Sequence, residues 1–346
     1  MISKKLIDLG VLALRQKNSR GSFKPHLALR FKDRDGKLRM FSVDTTRSPK
    51  KCIQPDAYLI THAHSDHHGK SAMLSERALC SEKTALALEL RHDREYTGRT
   101  FRLGESIDVG GVRVRTYPTG HTVGSAAFFW ENEVGTKILV TGDVKDASAL
   151  PSCDVLITEA NYGDPSDPSC HFEDDPESLK RALFENGFEN NFENGGVAFG
   201  AYDFGKAQRT VELLRGFGYG GVIRMASKGR ALTGHMLEEA GSLAGLEEDG
   251  SGVFVVPPWD LGKLPSNIKK YVLTCRTDYP YPNIRISDHL DAGGLEAMVR
   301  KIDPEVAVIY HPGGPRPGRF SEHLNSLGID SISLDRIGNV LSNEFS

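Results

Sequence analysis

The chain has no apolar run near the roughly 18 residues needed to cross a membrane, and Asp8 soon interrupts the apolar stretch that follows Met1-Ile2-Ser3-Lys4-Lys5. This excludes a helical membrane span and leads to the expectation of a soluble, cytoplasmic protein with no membrane partner. Cysteine is sparse. Cys52, Cys80, Cys153, Cys170 and Cys275 are odd in number and scattered, and no CxxC pair exists. A zinc ribbon, a redox motif and a disulfide framework are thereby disfavoured, and reduced thiols are expected. There is also no surplus of either charge: 43 Lys and Arg stand against 46 Asp and Glu, a formal net charge of −3. Such a chain has no global attraction for nucleic acid, so polyanion binding would rest on local basic groups and metals. Internal repeats and long polar tails are missing as well. What remains is ample for a core: 39% hydrophobic residues in 346, long enough for one large α/β body with a second domain inserted.

The most informative segment is His62-Ala63-His64-Ser65-Asp66-His67, which places four metal-ligand side chains in six residues directly after the apolar run Ala57-Tyr58-Leu59-Ile60. The run reads as a buried strand whose C-terminal end delivers imidazoles and a carboxylate into a tight loop. In extended chain, residues two apart share a face, so His62 and His64 can address one metal. Asp66 and His67 follow where the chain must turn, and can serve a second. Two divalent ions about 3.5–4 Å apart are the layout of two-metal hydrolases.

Further ligand types recur at strand ends. His121 lies in the turn Pro118-Thr119-Gly120-His121-Thr122, a suitable third imidazole for the first metal. Asp143 follows Ile138-Leu139-Val140 through Thr141-Gly142, where its carboxylate can bridge both ions. His311 ends the run Val306–Tyr310, and Asp44, Glu159 and His289 obey the same strand-end logic. Elsewhere, Leu27–Phe31 and Met40–Val43 flank Asp35-Gly36, a hairpin signal. Val112–Tyr117, Ala126–Trp130, Ile138–Val140 and Val155–Ile157 read as further strands, and Glu82–Arg91 as a helix. From Asp164 the texture changes to Asp-Pro-Ser-Asp-Pro-Ser and then to strand–helix alternation, which implies a parallel sheet in a separate domain. The acidic runs Glu173-Asp174-Asp175 and Glu247-Glu248-Asp249 read as solvated loops or helix starts.

Together, Asp44, His62-x-His64-x-Asp66-His67, His121 and Asp143 resemble the metallo-β-lactamase-fold hydrolases. Thr158-Glu159-Ala160-Asn161-Tyr162-Gly163, Ser287-Asp288-His289, Tyr310-His311-Pro312-Gly313 and Gly205-Lys206-Ala207-Gln208-Arg209 are similar, more narrowly, to the β-CASP nucleases. That group contains the cleavage-and-polyadenylation endonuclease, RNase J and Artemis. The resemblance covers nearly the whole chain. It implies an α/β fold, a metallo-β-lactamase αββα sandwich with an inserted α/β β-CASP domain: residues 1–163, an insert at 164–283, and a return at 284–346. It implies two Zn²⁺, with Mn²⁺ as an alternative. One ion would be held by His62, His64 and His121 and the other by Asp66, His67 and His311, with Asp143 bridging and Asp44 supporting the ligand loop. Glu159 and His289 would form a pair in which the carboxylate orients and charges the imidazole that protonates the leaving oxygen. Ser287, Lys206, Arg316 and Arg319 are candidates to contact substrate phosphate. The pattern departs from the group at Ala160-Asn161, where Ser/Thr-Thr is usual before the tyrosine, and the insert is short.

The function so implied is a zinc-dependent phosphodiesterase cleaving nucleic acid, with RNA preferred because His311 is typical of the RNA-processing members. The alternatives are a DNA exonuclease in repair, ligase-associated or Artemis-like, and a small-molecule hydrolase of the same superfamily. The last would account for His62 through Asp143 but not for Glu159, His289 and His311 together. A catalytically inert scaffold is disfavoured by the intact ligand set. A homodimer is compatible with the sequence.

Overall fold

A computed structural model describes residues 2–17, 23–48, 53–186, 196–246, 252–276, 278–311 and 313–339. Cys52, Glu247-Glu248-Asp249 and Pro312 lie outside them. The fold is mixed α/β with three sheets. Two compact units are present: Met1–His171 with His289–Ser346, and Phe172–Asp288. No helix among the described residues is long and apolar enough to cross a membrane.

The first unit holds two sheets. One runs in plain sequence order through Leu12–Lys17, Phe23–Lys32, Leu38–Val43, Ala57–Leu59, Ala78–Ser81 and Arg99–Phe101. The second has the spatial order Ser331–Ser333, Val306–His311, Val155–Glu159, Lys137–Val140, Ala126–Glu131, Val112–Pro118 and Ser106–Val109. Alternation along the strands builds the core between them. In Val112–Pro118, Val112 and Val114 point inward while Arg113 and Arg115 face solvent, which is the period-two pattern of a sheet with one covered face. Leu27, Leu29, Phe41, Val43 and Leu59 of the first sheet join Val114, Phe128, Trp130, Val140, Ile157 and Val308 of the second in one buried cluster. Strands such as Val155–Glu159 and Val306–His311 are buried throughout, because their other face is covered too. There Leu139, Leu156 and Ile309 pack on Leu295 and Val299 of helix Ala292–Ile302 and on Phe320 and Leu324 of helix Arg316–Ser326. Asp35-Gly36 does form a hairpin turn: Asp33 Oδ1 accepts from the amides of Asp35 and Lys37 at 3.0 and 2.9 Å, with Gly36 at φ +76°.

The second unit is built on an all-parallel sheet in the order Leu243–Ala244, Ile223–Met225, Gly252–Val256, Gly196–Gly200, Lys269–Leu273 and Asn283–Ile284. Helices Pro176–Asn186 and Lys206–Gly216 cover one face through Leu179, Leu183, Val211 and Leu214. Leu261 and Ile268 cover the other, against Ala198, Phe254 and Val272.

Candidate metal centre

Strand ends deliver the site. Leu38–Val43 leads to Asp44, Ala57–Leu59 to His62 and His64, Val112–Pro118 to His121, and Lys137–Val140 to Asp143, while Val155–Glu159 and Val306–His311 end on Glu159 and His311 themselves. Asp66 and His67 lie on a single 3-10 turn, Ser65–His67. Two groups of side chains result, each with its ligand atoms within 4.8 Å of one another: His62, His64, His121 and Asp143, and Asp66, His67 and His311. Asp143 divides its oxygens between them. Oδ2 lies 3.8 Å from His62 Nε2 and 3.6 Å from His121 Nε2, while Oδ1 lies 3.3 Å from His67 Nε2. His311 Nε2 is 3.5 Å from Asp66 Oδ2.

This donor set fits divalent metal. Among the described residues, His67 Nε2, Asp143 Oδ1 and His311 Nε2 are buried and make no hydrogen bond, a costly condition for polar atoms unless something else is to be bound. Burial, reinforced by the positive charge of His67, holds His62 well below the ordinary imidazole range and lowers His311 also, which keeps both in the neutral form that ligates. Burial opposes charge on His67, yet the carboxylates of Asp143 and Asp44 outweigh it and hold that imidazole well above its usual range. For Asp143 burial favours the acid, but His67, His311 and His121 keep it well below the usual carboxylate range. Positive charge is therefore favoured between the two buried carboxylates of Asp44 and Asp143.

Asp44 organises the loop. Its backbone is left-handed at φ 43°, a conformation that costs energy for a residue with a side chain. Its carboxylate compensates by accepting from Thr61 N at 2.9 Å and from Thr61 Oγ1, His67 Nδ1 and Tyr310 Oη, each at 2.8 Å. Thr61 and Tyr310 were not singled out by sequence; their signal was adjacency to His62 and His311. Tyr310 reaches Asp44 because it continues the inward face of Val306 and Val308; at the same strand end the pairing of Val306–His311 with Val155–Glu159 slips, so that Thr158 faces Ile309 but Glu159 faces His311. Tyr310 is the extra residue of this irregularity, whose effect is to set His311 opposite Glu159. Arg91 Nη1 donates to Ala63 O and secures the loop from helix Glu82–His92.

A third group joins Asp143 to Glu159 and His289. His289 Nδ1 is 3.1 Å from both Glu159 oxygens, and its ring is 4.5 Å from that of His121. Glu159 is fully buried and accepts from Val144 N at 2.7 Å, Asn161 N at 3.1 Å and Asn161 Nδ2 at 2.8 Å. With these lone pairs engaged, it is built to orient His289 rather than to ligate metal. Asn161, where the chain departs from the β-CASP pattern, therefore serves the carboxylate.

Of the phosphate candidates, Lys206 and Ser287 belong to the second unit and Arg316 and Arg319 to the first. Lys206 Nζ donates to Ile286 O at 2.9 Å, and Ser287 is buried, with its amide on Asp174 Oδ1 at 2.8 Å and its carbonyl accepting from Arg209. Arg316 donates to Asn161 O and Asp167 and lies 5.4 Å above the Tyr162 ring. Arg319 is exposed.

No family model matches the chain. Among curated proteins, UPF0173 protein PF0020 of Pyrococcus furiosus is 30% identical over 91 residues, 25% of this chain and 43% of that protein. The chain thus spans less than half of that relative, which belongs to a metallo-β-lactamase-fold family. Among solved structures, a protein of unknown function from Enterococcus faecalis V583 has a TM-score of 0.59 at 11% identity, covering 94% of this chain and 97% of that one. That likeness is one of fold alone. The distant relative is consistent with a metallo-β-lactamase-like sandwich, and with the His/Asp cluster it fits a metal-dependent hydrolase.

Proposed function

We propose that the chain is a two-metal phosphodiesterase acting on nucleic acid, of the β-CASP kind, with residues 172–288 as the inserted domain and RNA preferred over DNA. The observation that carries this reading is the Glu159–His289 pair beside Asp143. A superfamily hydrolase with a good leaving group has little use for a buried carboxylate dedicated to one imidazole; a phosphodiester, whose alkoxide must be protonated as it leaves, does.

His62, His64 and His121 would hold one ion and Asp66, His67 and His311 the other, with Asp143 between them. Two Zn²⁺ so held supply Lewis acidity to the phosphate and a water acidified toward neutral pH. Asp44 fixes His67 through Nδ1, so that Nε2 faces Asp143. Glu159 holds His289 through Nδ1, which makes Nε2–H the proton handed to the departing oxygen. Of the phosphate candidates, Arg319 is exposed, and its guanidinium makes no side-chain hydrogen bond among the described residues.

End-labelled RNA and DNA, single- and double-stranded, incubated with zinc-loaded protein would decide substrate and polarity. His289→Ala should keep both metals yet lower cleavage by about 10²–10⁴-fold, and much less on a nitrophenyl phosphodiester, whose leaving group needs no proton. Equal loss on both substrates, or loss of zinc, would remove the acid role and leave a generic metallohydrolase.

A further inference from the structure

In the second unit, three aromatic side chains meet just beyond the C-terminal ends of the parallel strands. Tyr202 follows Gly196–Gly200, Trp259 follows Gly252–Val256, and Tyr279 follows Lys269–Leu273. Carboxyl ends of strands are where open α/β sheets bind ligands. Trp259 is 63% exposed and Tyr202 40%, and their rings lie 5.7 Å apart at a 48° tilt. Exposed aromatics in contact mark an interaction surface more often than scattered single ones do.

This group is held rigid. Tyr202 Oη and Tyr279 Oη share a hydrogen bond of 2.8 Å. The Arg276 guanidinium lies 5.8 Å over the Tyr279 ring and is fixed by Asp278, to which Nε donates at 2.9 Å. Pro257 and Pro258 precede Trp259, and Pro280 and Pro282 flank Tyr281 beside Tyr279, which fixes φ at those positions beside two of the three rings. Arg276 spends Nε and Nη2 on Asp278; among the described residues its Nη1 makes no hydrogen bond. Exposed aromatic rings with a guanidinium beside them match a base and its phosphate.

We propose that Trp259 and Tyr202 form a stacking platform for unpaired nucleobases, with Arg276 on the adjoining phosphate, so that the second unit binds single-stranded nucleic acid irrespective of sequence. The choice of ligand rests on the nucleic-acid reading above. Stacking is indifferent to base identity because every base has a π-face, whereas loss of the base removes it.

The chain contains two tryptophans, of which Trp130 is buried and Trp259 exposed, so intrinsic fluorescence reports on the platform. Zinc-loaded full-length protein is titrated with a short phosphorothioate-linked oligothymidylate and with the same backbone carrying abasic sugars. The thymidylate strand should quench Trp259 and bind more tightly than the abasic one. Read by the anisotropy of a fluorescein-labelled strand, since these variants lack Trp259, Trp259→Ala with Tyr202→Ala should weaken thymidylate binding roughly ten- to hundred-fold, with the far-ultraviolet spectrum unchanged, while Trp259→Phe keeps most of the affinity. Equal binding of the two strands, or wild-type affinity in the double variant, would overturn the platform. If base-dependent binding is found but no phosphodiester is cleaved, the platform stands and the nuclease reading falls. If cleavage is found without base-dependent binding, the platform alone falls.

Discussion

Replacing Asp44 by Asn tests the organisation of the metal centre most directly. The substitution keeps the shape but turns one oxygen into an NH₂ group. Thr61 N can still find an acceptor, and the Thr61 and Tyr310 hydroxyls can rotate to accept instead of donate. His67 has no such freedom. Its Nδ1 lies 2.8 Å from Asp44 Oδ2, so facing an NH₂ it must give up its proton there and carry it on Nε2. That is the atom 3.3 Å from Asp143 Oδ1, within the buried group that should receive a metal. Losing a hydrogen bond to a charged partner costs about 1.5–3 kcal/mol. Disturbing the group that fixes a ligand's tautomer lowers metal affinity typically about 10–100-fold. Zinc affinity measured by competition with a chromophoric chelator should therefore fall by that factor in Asp44→Asn, and the melting temperature of the metal-free protein should drop. Zinc affinity within about twofold of wild type would show that Asp44 does not set the His67 tautomer, and the reasoning would fail.

Metal analysis should find two ions per chain, and Asp143→Ala should hold one at most and lose hydrolysis; a fully loaded variant would contradict its position between the two ligand groups. Each zinc at about a thousand times its dissociation constant stabilises by about 4 kcal/mol, so chelation should lower the melting temperature by at least roughly 8–16 °C, the share of a single ion; an unchanged melt would argue against a folded metal site. Gly142→Ala should destabilise by about 2–4 kcal/mol, because Gly142 is left-handed at φ 65° and a Cβ would come within 2.5 Å of the Thr61 side chain; urea unfolding checks this. Burial pushes the Cys80 thiol up to about 12 and raises Cys153 also. Both should resist iodoacetamide at pH 8 until the chain unfolds, as mass spectrometry would show.

Much of the candidate site is legible in the sequence because its signals are local. His62, His64, Asp66 and His67 lie within six residues behind an apolar strand, and a strand that ends in a turn exposes polar side chains there whatever the surroundings. Alternation in Val112–Pro118 and the buried runs Val155–Glu159 and Val306–His311 are likewise properties of short segments. What tertiary structure decided is which distant residues share a charge or a surface. Tyr310 and Asp44 are separated by 266 positions and His289 and Glu159 by 130, so no periodicity links them. The slip that sets His311 opposite Glu159 is a register shift between strands, invisible in either strand alone. Asn161 looked like a departure from a pattern until its two N–H groups were seen on Glu159. Tyr202, Trp259 and Tyr279 are ordinary aromatics in three separate loops, brought to one edge because parallel strands end on the same side of their sheet. Sequence specifies which chemistry each segment can carry. Long-range pairing, which depends on contacts between segments rather than on any one of them, determines which of those chemistries meet.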